Sequence, residues 1–216
     1  MAEITLNIDG TDITTEAGKS VLEAALEHDI YIPHLCYHPE LEPAGACRLC
    51  VVELGNSTKL ATSCRVPVSP GLVVRTNTPA VEQARLAVVE LIIADHHYEC
   101  RGCPGSGHCQ FQKIMGRLHV SSKKMRPLRW ATEEVTLDTS PAAFDYDPGR
   151  CVLCGICVRT SQQTPGGGTI AFTHRGHGTR LGFYGEILEG DSCPQCVERC
   201  PVYALVPKKK AGGEPA

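Results

Sequence analysis

The stretch CYHPELEPAGACRLC, residues 36–50, carries three of the four cysteines that decide how the N-terminal part of the chain folds. With one later cysteine it forms the series Cys36-x10-Cys47-x2-Cys50-x13-Cys64. The Cys47-x2-Cys50 pair can reach one compact region from a tight loop, while the other two come from flanking segments. Four thiolates that converge in this way are the usual ligands of a [2Fe–2S] cluster, two at each end. Zinc is the alternative, because a single C-x2-C pair is also common in zinc sites.

A second cysteine group needs a fourth ligand of another residue type. The series is His96-x3-Cys100-x2-Cys103-x5-Cys109. We predict that His96 completes a [4Fe–4S] site with these three cysteines, because a neutral imidazole can replace a thiolate and makes the site less negative. His97 and His108 remain alternative ligands, and a solvated side chain is the ordinary state of a single histidine.

The third group has the spacing of a ferredoxin cluster. The series Cys151-x2-Cys154-x2-Cys157 is followed at a distance by Cys200-Pro201. Three closely spaced cysteines with a remote Cys-Pro predict a second [4Fe–4S] cluster. Cys193 also precedes a proline, but Cys200 ends a run that resembles the close of a ferredoxin motif and is the preferred ligand.

Two cysteines are left over by this assignment. Cys193 and Cys196 would need partners at Gly190 and Ser161 to complete another cluster, and neither position is a cysteine. We therefore expect free thiols packed near the third cluster. A fourth cluster with an unusual ligand, Asp191, is the alternative.

The composition excludes several classes of function. Thirteen cysteines, an odd number, do not form a complete disulfide framework, and a net charge of −3 does not suggest a nucleic-acid partner. No apolar run is long enough for a membrane span, and the N-terminus MAEITLNIDG lacks the pattern of a signal peptide. We expect a cytoplasmic protein, where closely spaced cysteines more often bind metal. Aromatic residues make up only 5%, so bound clusters would add to the folding free energy.

The apolar patterns predict an α+β fold built from small modules. The predicted elements are strands at 3–8 and from Ile13, a helix at 21–28, strands at 50–54 and 59–62, a helix at 79–95, an extended segment at 134–137, and a hairpin of 169–173 with 180–186. The predicted divisions are a [2Fe–2S] domain at 1–78, a His/Cys3 module at 79–118, a connector at 119–143, a [4Fe–4S] domain at 144–207 and a disordered tail at 208–216.

The ordered combination of these motifs resembles one family. The matching segments are IPHLCYHP (32–39), ACRLCVVE (46–53), the His96–Cys109 series, CVLCGICVR (151–159) and CPVYAL (200–205). They resemble the N-terminal part of the large iron–sulfur subunit of respiratory complex I. The same arrangement occurs in the small diaphorase subunit of NAD-linked [NiFe] hydrogenases, in iron-only hydrogenases and in NAD-dependent formate dehydrogenases.

The resemblance implies a β-grasp [2Fe–2S] ferredoxin domain, then a His/Cys3 helical and loop module, then a ferredoxin-like [4Fe–4S] domain. It implies one [2Fe–2S] and two [4Fe–4S] clusters that relay electrons, with no catalytic centre on this chain. The implied partners are a flavin- and NADH-binding subunit and a subunit with the terminal catalyst. A zinc-stabilised interaction module is the alternative from another class.

Overall fold

The structure, a computed structural model, describes residues 2–96, 100–120, 136–164, 167–188 and 193–208. The chain forms two compact units. The first unit comprises residues 1–92 and 114–126, and the second comprises residues 93–113 and 127–216. The described part is a mixed α and β structure, as predicted.

A five-stranded sheet in the order β2-β1-β5-β3-β4 is the centre of the first unit. Its strands are β1 Glu3–Ile8, β2 Thr11–Glu16, β3 Val51–Leu54, β4 Leu60–Thr62 and β5 Val73–Arg75. Strand β1 runs antiparallel to β2 and parallel to β5. The β1–β2 turn has positive φ at both Asp9 (51°) and Gly10 (88°), as the tight hairpin turn requires.

Helix α1 (Val21–Glu27) covers this sheet and begins at a capping box. The backbone N–H of Glu23 donates to the Ser20 hydroxyl, and the Glu23 carboxylate accepts from the Ser20 N–H. Its apolar face joins Leu6, Ile8 and the strand residues in one buried core. Cys50 and Cys64 belong to the same core, so two predicted ligands are positioned by the packing that stabilises the unit.

Helix α2 (Pro79–Asp95) begins after Thr78, whose hydroxyl accepts from the Val81 N–H. The predicted helix is present, but its buried face does not follow residue type alone. Leu91 is 73% exposed, whereas Val81, Arg85 and Val89 are buried at intervals of four residues. A charged residue therefore lies in the middle of the buried stripe.

The second unit combines short helices with two small antiparallel sheets. Its helices are α3 Gln110–Arg117, which continues into the first unit, α4 Ile156–Gln163 and α5 Pro194–Glu198. Its strands are β6 Phe144–Tyr146 paired with β9 Leu205–Pro207, and β7 Ile170–Thr173 paired with β8 Arg180–Phe183. The Phe183 ring packs edge-on against the rings of Phe144 and Tyr146, each at 5.5 Å.

Most long elements agree with the sequence patterns, and several short ones were missed. The hairpin predicted around residues 175–178 is formed by β7 and β8, although β8 ends at Phe183. The elements that were not predicted are strands β5, β6 and β9 and helices α3, α4 and α5. The extended segment predicted at 134–137 lies largely outside the described residues, as does the tail beyond Lys208.

Candidate functional site

The first unit brings its four predicted cysteine ligands together as two pairs. Cys36 lies in the long loop after α1, and Cys64 lies in a single 3-10 turn (Ser63–Arg65) after β4. The Cys47 thiol is hydrogen-bonded to the Cys36 thiol. This hydrogen bond and the burial of the thiol together raise the pKa of Cys47 well above its usual range. A hydrogen bond with Cys64 lowers the pKa of Cys50 to about 6, against the opposing effect of burial. Iron binds cysteine as the thiolate, so cluster binding would displace the protons of these thiols.

The loop around the first site is shaped by backbone conformation and by one arginine. Gly45 and Arg48 have positive φ, 63° and 57°, which tighten the turn that carries Cys47. The Arg65 guanidinium donates to the Pro43 carbonyl at 2.9 Å and holds the loop against the turn that contains Cys64. The sulfur of Cys47 accepts the Leu35 N–H at 3.4 Å. Backbone donors of this kind stabilise thiolate sulfur.

The second site lies between the end of α2 and the start of α3. His96 directly follows α2, is only 9% exposed and packs edge-on against the ring of Phe111 at 5.5 Å. Cys109 precedes α3, and its sulfur accepts backbone N–H groups from Phe111 and Gln112. Phe111 therefore connects the histidine with the first turn after the last cysteine of the series.

The remaining candidates at this site differ in environment. Burial raises the pKa of Cys100, and the neighbouring Cys103 thiol raises it further. His108 is exposed at the surface of the loop. His97 lies outside the described residues. The structure thus places His96 in a buried position that a ligand requires and places His108 in solvent.

The third site is an apolar pocket lined by four thiols. The cysteines are Cys151, Cys154, Cys157 and Cys200. The other lining residues are Val152, Leu153, Gly155, Ile156, Leu181, Pro201, Val202, Ala204 and Leu205. Burial raises the pKa of Cys157 well above its usual range, and the charges of the other three thiols add to that effect. A pocket that contains sulfur and otherwise aliphatic groups fits an iron–sulfur cluster, whose shell is largely apolar.

Two hydrogen-bond donors act on sulfur at the third site. The Ala204 N–H donates to the Cys200 sulfur at 3.3 Å. The Tyr146 hydroxyl is hydrogen-bonded to the Cys151 thiol and also accepts the Leu181 N–H at 3.4 Å. Tyr146 was not identified from the sequence, because it lies on β6 outside every cysteine motif.

The loops of the second and third sites are joined directly. The Gln110 N–H donates to the Pro201 carbonyl at 2.9 Å. Gly105, in the loop between Cys103 and Cys109, lies against the ring of Tyr203. A Cβ at Gly105 would be 2.5 Å from this ring, so only glycine fits at that position.

The two remaining cysteines are not free thiols, and that expectation is wrong. Cys193 and Cys196 form a disulfide with a Cα–Cα distance of 5.3 Å. Pro194 begins α5, and its first turn brings residues three apart to the same side. The Cys196 sulfur contacts the Cys157 carbonyl at 3.5 Å, so the pair does pack beside the third site. Asp191, the alternative ligand of a fourth cluster, lies outside the described residues.

Within the described residues, no three His, Cys, Asp or Glu side chains are close enough to hold a single metal ion. The ligands of a polynuclear cluster are further apart, because they bind different irons. In the same residues, no helix is long and apolar enough to cross a membrane.

Two protein families match parts of this chain that include the first and second candidate sites. Residues 1–79 match the family described as a 2Fe-2S iron-sulfur cluster binding domain. Residues 85–124 match the NADH-ubiquinone oxidoreductase-G iron-sulfur binding region. The matches coincide with the paired thiols of the first unit and with the His96–Cys109 series.

Similar proteins extend the match to nearly the whole chain. The mitochondrial NADH-ubiquinone oxidoreductase 78 kDa subunit of Neurospora crassa is 33% identical over 225 residues, which cover 97% of this chain and 28% of that protein. NADPH-Fe(3+) oxidoreductase subunit alpha of Geobacter sulfurreducens is 31% identical, over 95% of this chain and 24% of that protein. The chain thus spans about a quarter of the length of these curated relatives.

A solved structure of similar length shows the same fold. A chain in the crystal structure of NAD+-reducing [NiFe]-hydrogenase in the H2-reduced state is 32% identical and superimposes with a TM-score of 0.85. The match covers 99% of this chain and 91% of the hydrogenase chain. The chain belongs to the family of iron–sulfur subunits that includes the 78 kDa subunit of NADH-ubiquinone oxidoreductase and this chain of NAD+-reducing [NiFe]-hydrogenase.

Proposed function

We propose that this chain is an electron-transfer subunit of an NAD(H)-linked oxidoreductase. It would hold one [2Fe–2S] cluster and two [4Fe–4S] clusters. The proposed ligands are Cys36, Cys47, Cys50 and Cys64 for the first, His96, Cys100, Cys103 and Cys109 for the second, and Cys151, Cys154, Cys157 and Cys200 for the third. When bound, these clusters would supply one-electron redox chemistry, and the protein would set their spacing and potentials.

The observation that carries this proposal is the pairing of the four thiols in the first unit. A two-iron cluster takes two thiolates at each end, and the structure pairs Cys36 with Cys47 and Cys50 with Cys64. Cys50 and Cys64 are already part of the buried core. The apolar thiol pocket of the second unit supports the same conclusion for the third site.

The proposed assembly contains a flavin- and NADH-binding subunit on one side and a subunit with the terminal catalyst on the other. The direction of electron flow would follow from the relative potentials of these partners. We place the first unit in the β-grasp class of ferredoxins, on the basis of its mixed sheet covered by α1. We place the protein in the cytoplasm, where reducing conditions keep cluster ligands as thiols.

Anaerobic purification tests this function. The protein should be brown and should contain about ten irons with matching sulfide, from one two-iron and two four-iron clusters. Stepwise reduction should produce three distinct electron paramagnetic resonance (EPR) signals. Rapid reduction by NADH should occur only when the flavin-containing partner is added.

A zinc-stabilised interaction module is the competing function. Its C-x2-C pairs have the spacing of zinc sites. Colourless protein that contains zinc and no sulfide would favour it and would exclude electron transfer by this chain.

A further inference from the structure

Arg85 occupies a position that is unusual for a cation. It lies on α2 between Val81 and Val89 in the buried stripe of the helix, and it is only 6% exposed. Burying a charged side chain costs several kcal/mol unless its donors are satisfied. Such a residue is retained where its charge or its hydrogen bonds have a specific use.

Among the described residues, the guanidinium's hydrogen bonds are all to backbone carbonyls. Its Nε donates to Leu49 at 3.1 Å, one terminal nitrogen donates to Val51 at 2.8 Å, and the other donates to Thr76 at 2.8 Å. Carbonyl groups are neutral, so these bonds leave the net positive charge of the side chain in place. Only the planar fork of arginine can satisfy several such acceptors at once from one helix position.

Two of the three carbonyls flank a proposed cluster ligand. Leu49 and Val51 are the residues directly before and after Cys50, and Cys50 is 1% exposed. The guanidinium therefore binds the carbonyl of the Leu49–Cys50 peptide directly before this ligand and the carbonyl of the Val51–Val52 peptide, the second one after it, and it anchors the end of the ligand loop to α2. The charge of Arg85 interacts with the Cys50 thiolate and also with the carboxylates of Asp9 and Glu82.

A fixed cation at this point acts on the charge of the site. Four thiolates make a [2Fe–2S] site negative, and its reduction adds one more negative charge. A buried positive charge stabilises the more negative state more strongly than an exposed one, because little water screens it.

We propose that Arg85 is a positioning residue of the first site, which orients the Cys50 loop and raises the reduction potential of the cluster. This inference rests on the proposed function, since it requires a [2Fe–2S] cluster at the paired cysteines. In the reduction, one electron enters from a donor such as a reduced dye, no bond is formed or broken, and Arg85 keeps its proton throughout.

The test uses the full chain with its clusters assembled anaerobically. Arg85→Gln removes the charge, Arg85→Lys keeps a charge but loses the planar guanidinium, and Lys59→Gln is the control. Lys59 lies in the turn between β3 and β4 of the same unit, outside the ligand loop, and is exposed, so water screens its charge. Two quantities are measured for each variant: the midpoint potential of the [2Fe–2S] EPR signal and the rate of its loss to an iron chelator.

We expect Arg85→Gln to have a more negative midpoint potential than wild type, while Lys59→Gln does not change it. We expect Arg85→Lys to stay closer to the wild-type potential than Arg85→Gln but to lose the [2Fe–2S] signal several-fold faster than wild type. If Arg85→Gln does not accumulate as folded protein, the positioning role is tested by the rate at which Arg85→Lys loses its [2Fe–2S] signal to the iron chelator.

Either of two results overturns the inference. One is an Arg85→Gln protein that retains the [2Fe–2S] cluster at the wild-type potential, and the other is an Arg85→Lys protein that retains it as long as wild type does. Wild-type protein with no [2Fe–2S] signal is a different result, because it refutes the proposed function whatever the variants do.

Discussion

The backbone N–H of Gln110 donates a 2.9 Å hydrogen bond to the carbonyl of Pro201. The Gln110 N–H belongs to the peptide directly after Cys109, and the Pro201 carbonyl belongs to the second peptide after Cys200, so a single hydrogen bond connects the segments that follow a proposed ligand of the second site and a proposed ligand of the third. The bond fixes the start of α3 to the segment that follows Cys200.

Replacing Gln110 with proline should weaken this connection. Gln110 is the first residue of α3, where proline is tolerated, so Gln110→Pro removes the N–H donor without breaking the helix. Loss of one such hydrogen bond should cost about 0.5–1.5 kcal/mol. We expect a lower melting temperature and slower electron exchange between the two [4Fe–4S] signals after a laser-triggered reduction. Gln110→Ala keeps the N–H and is the control, and equal behaviour of the two variants would contradict the prediction.

The second site should depend on His96 and not on His108. His96→Ala should remove or shift one [4Fe–4S] EPR signal, because the buried imidazole is the proposed fourth ligand. His96→Cys should restore the cluster at a more negative potential, because a thiolate carries a charge that neutral imidazole lacks. His108→Ala, at an exposed position, is the control. Loss of the signal in His108→Ala, with His96→Ala unchanged, would reassign the ligand.

Removing the Tyr146 hydroxyl should lower the potential of the third site. The hydroxyl is hydrogen-bonded to the Cys151 thiol, and such bonds stabilise the more negative reduced state. One hydrogen bond of about 0.5–1.5 kcal/mol corresponds to a shift of roughly 20–60 mV for one electron in Tyr146→Phe. Redox titration of the EPR signals measures this shift. The control is Tyr184→Phe, which changes a half-exposed tyrosine and should not shift any potential. If the redox titration of Tyr146→Phe overlays that of wild type, the Tyr146 hydroxyl does not tune the third site.

The Cys193–Cys196 disulfide should be independent of the clusters. Because these sulfurs are bonded to each other, Cys193→Ser and Cys196→Ser should leave the iron content unchanged. Alkylation of denatured, cluster-free protein should detect two more thiols after reduction than before. Loss of about four irons in either variant would instead indicate a ligand of a further [4Fe–4S] cluster.

The sequence by itself determined the three groups of candidate ligands, the long elements and the family. Ligand spacing within a few residues is a local property, so Cys151, Cys154 and Cys157 could be grouped without a structure. The capping residues of α1 and the turn between β1 and β2 are equally local.

Only the tertiary structure decided which side chains surround the sulfurs. The pairing of Cys50 with Cys64 and the hydrogen bonds of Arg85 to Leu49 and Val51 join residues distant in sequence. Tyr146 and Cys151 are close in sequence, but their contact depends on the turn between them. In α2 the residue type does not predict burial, because Leu91 is apolar yet exposed, while Arg85 is charged yet buried. Backbone carbonyls supply the partners that make this burial stable, and such acceptors leave no trace in the amino-acid sequence.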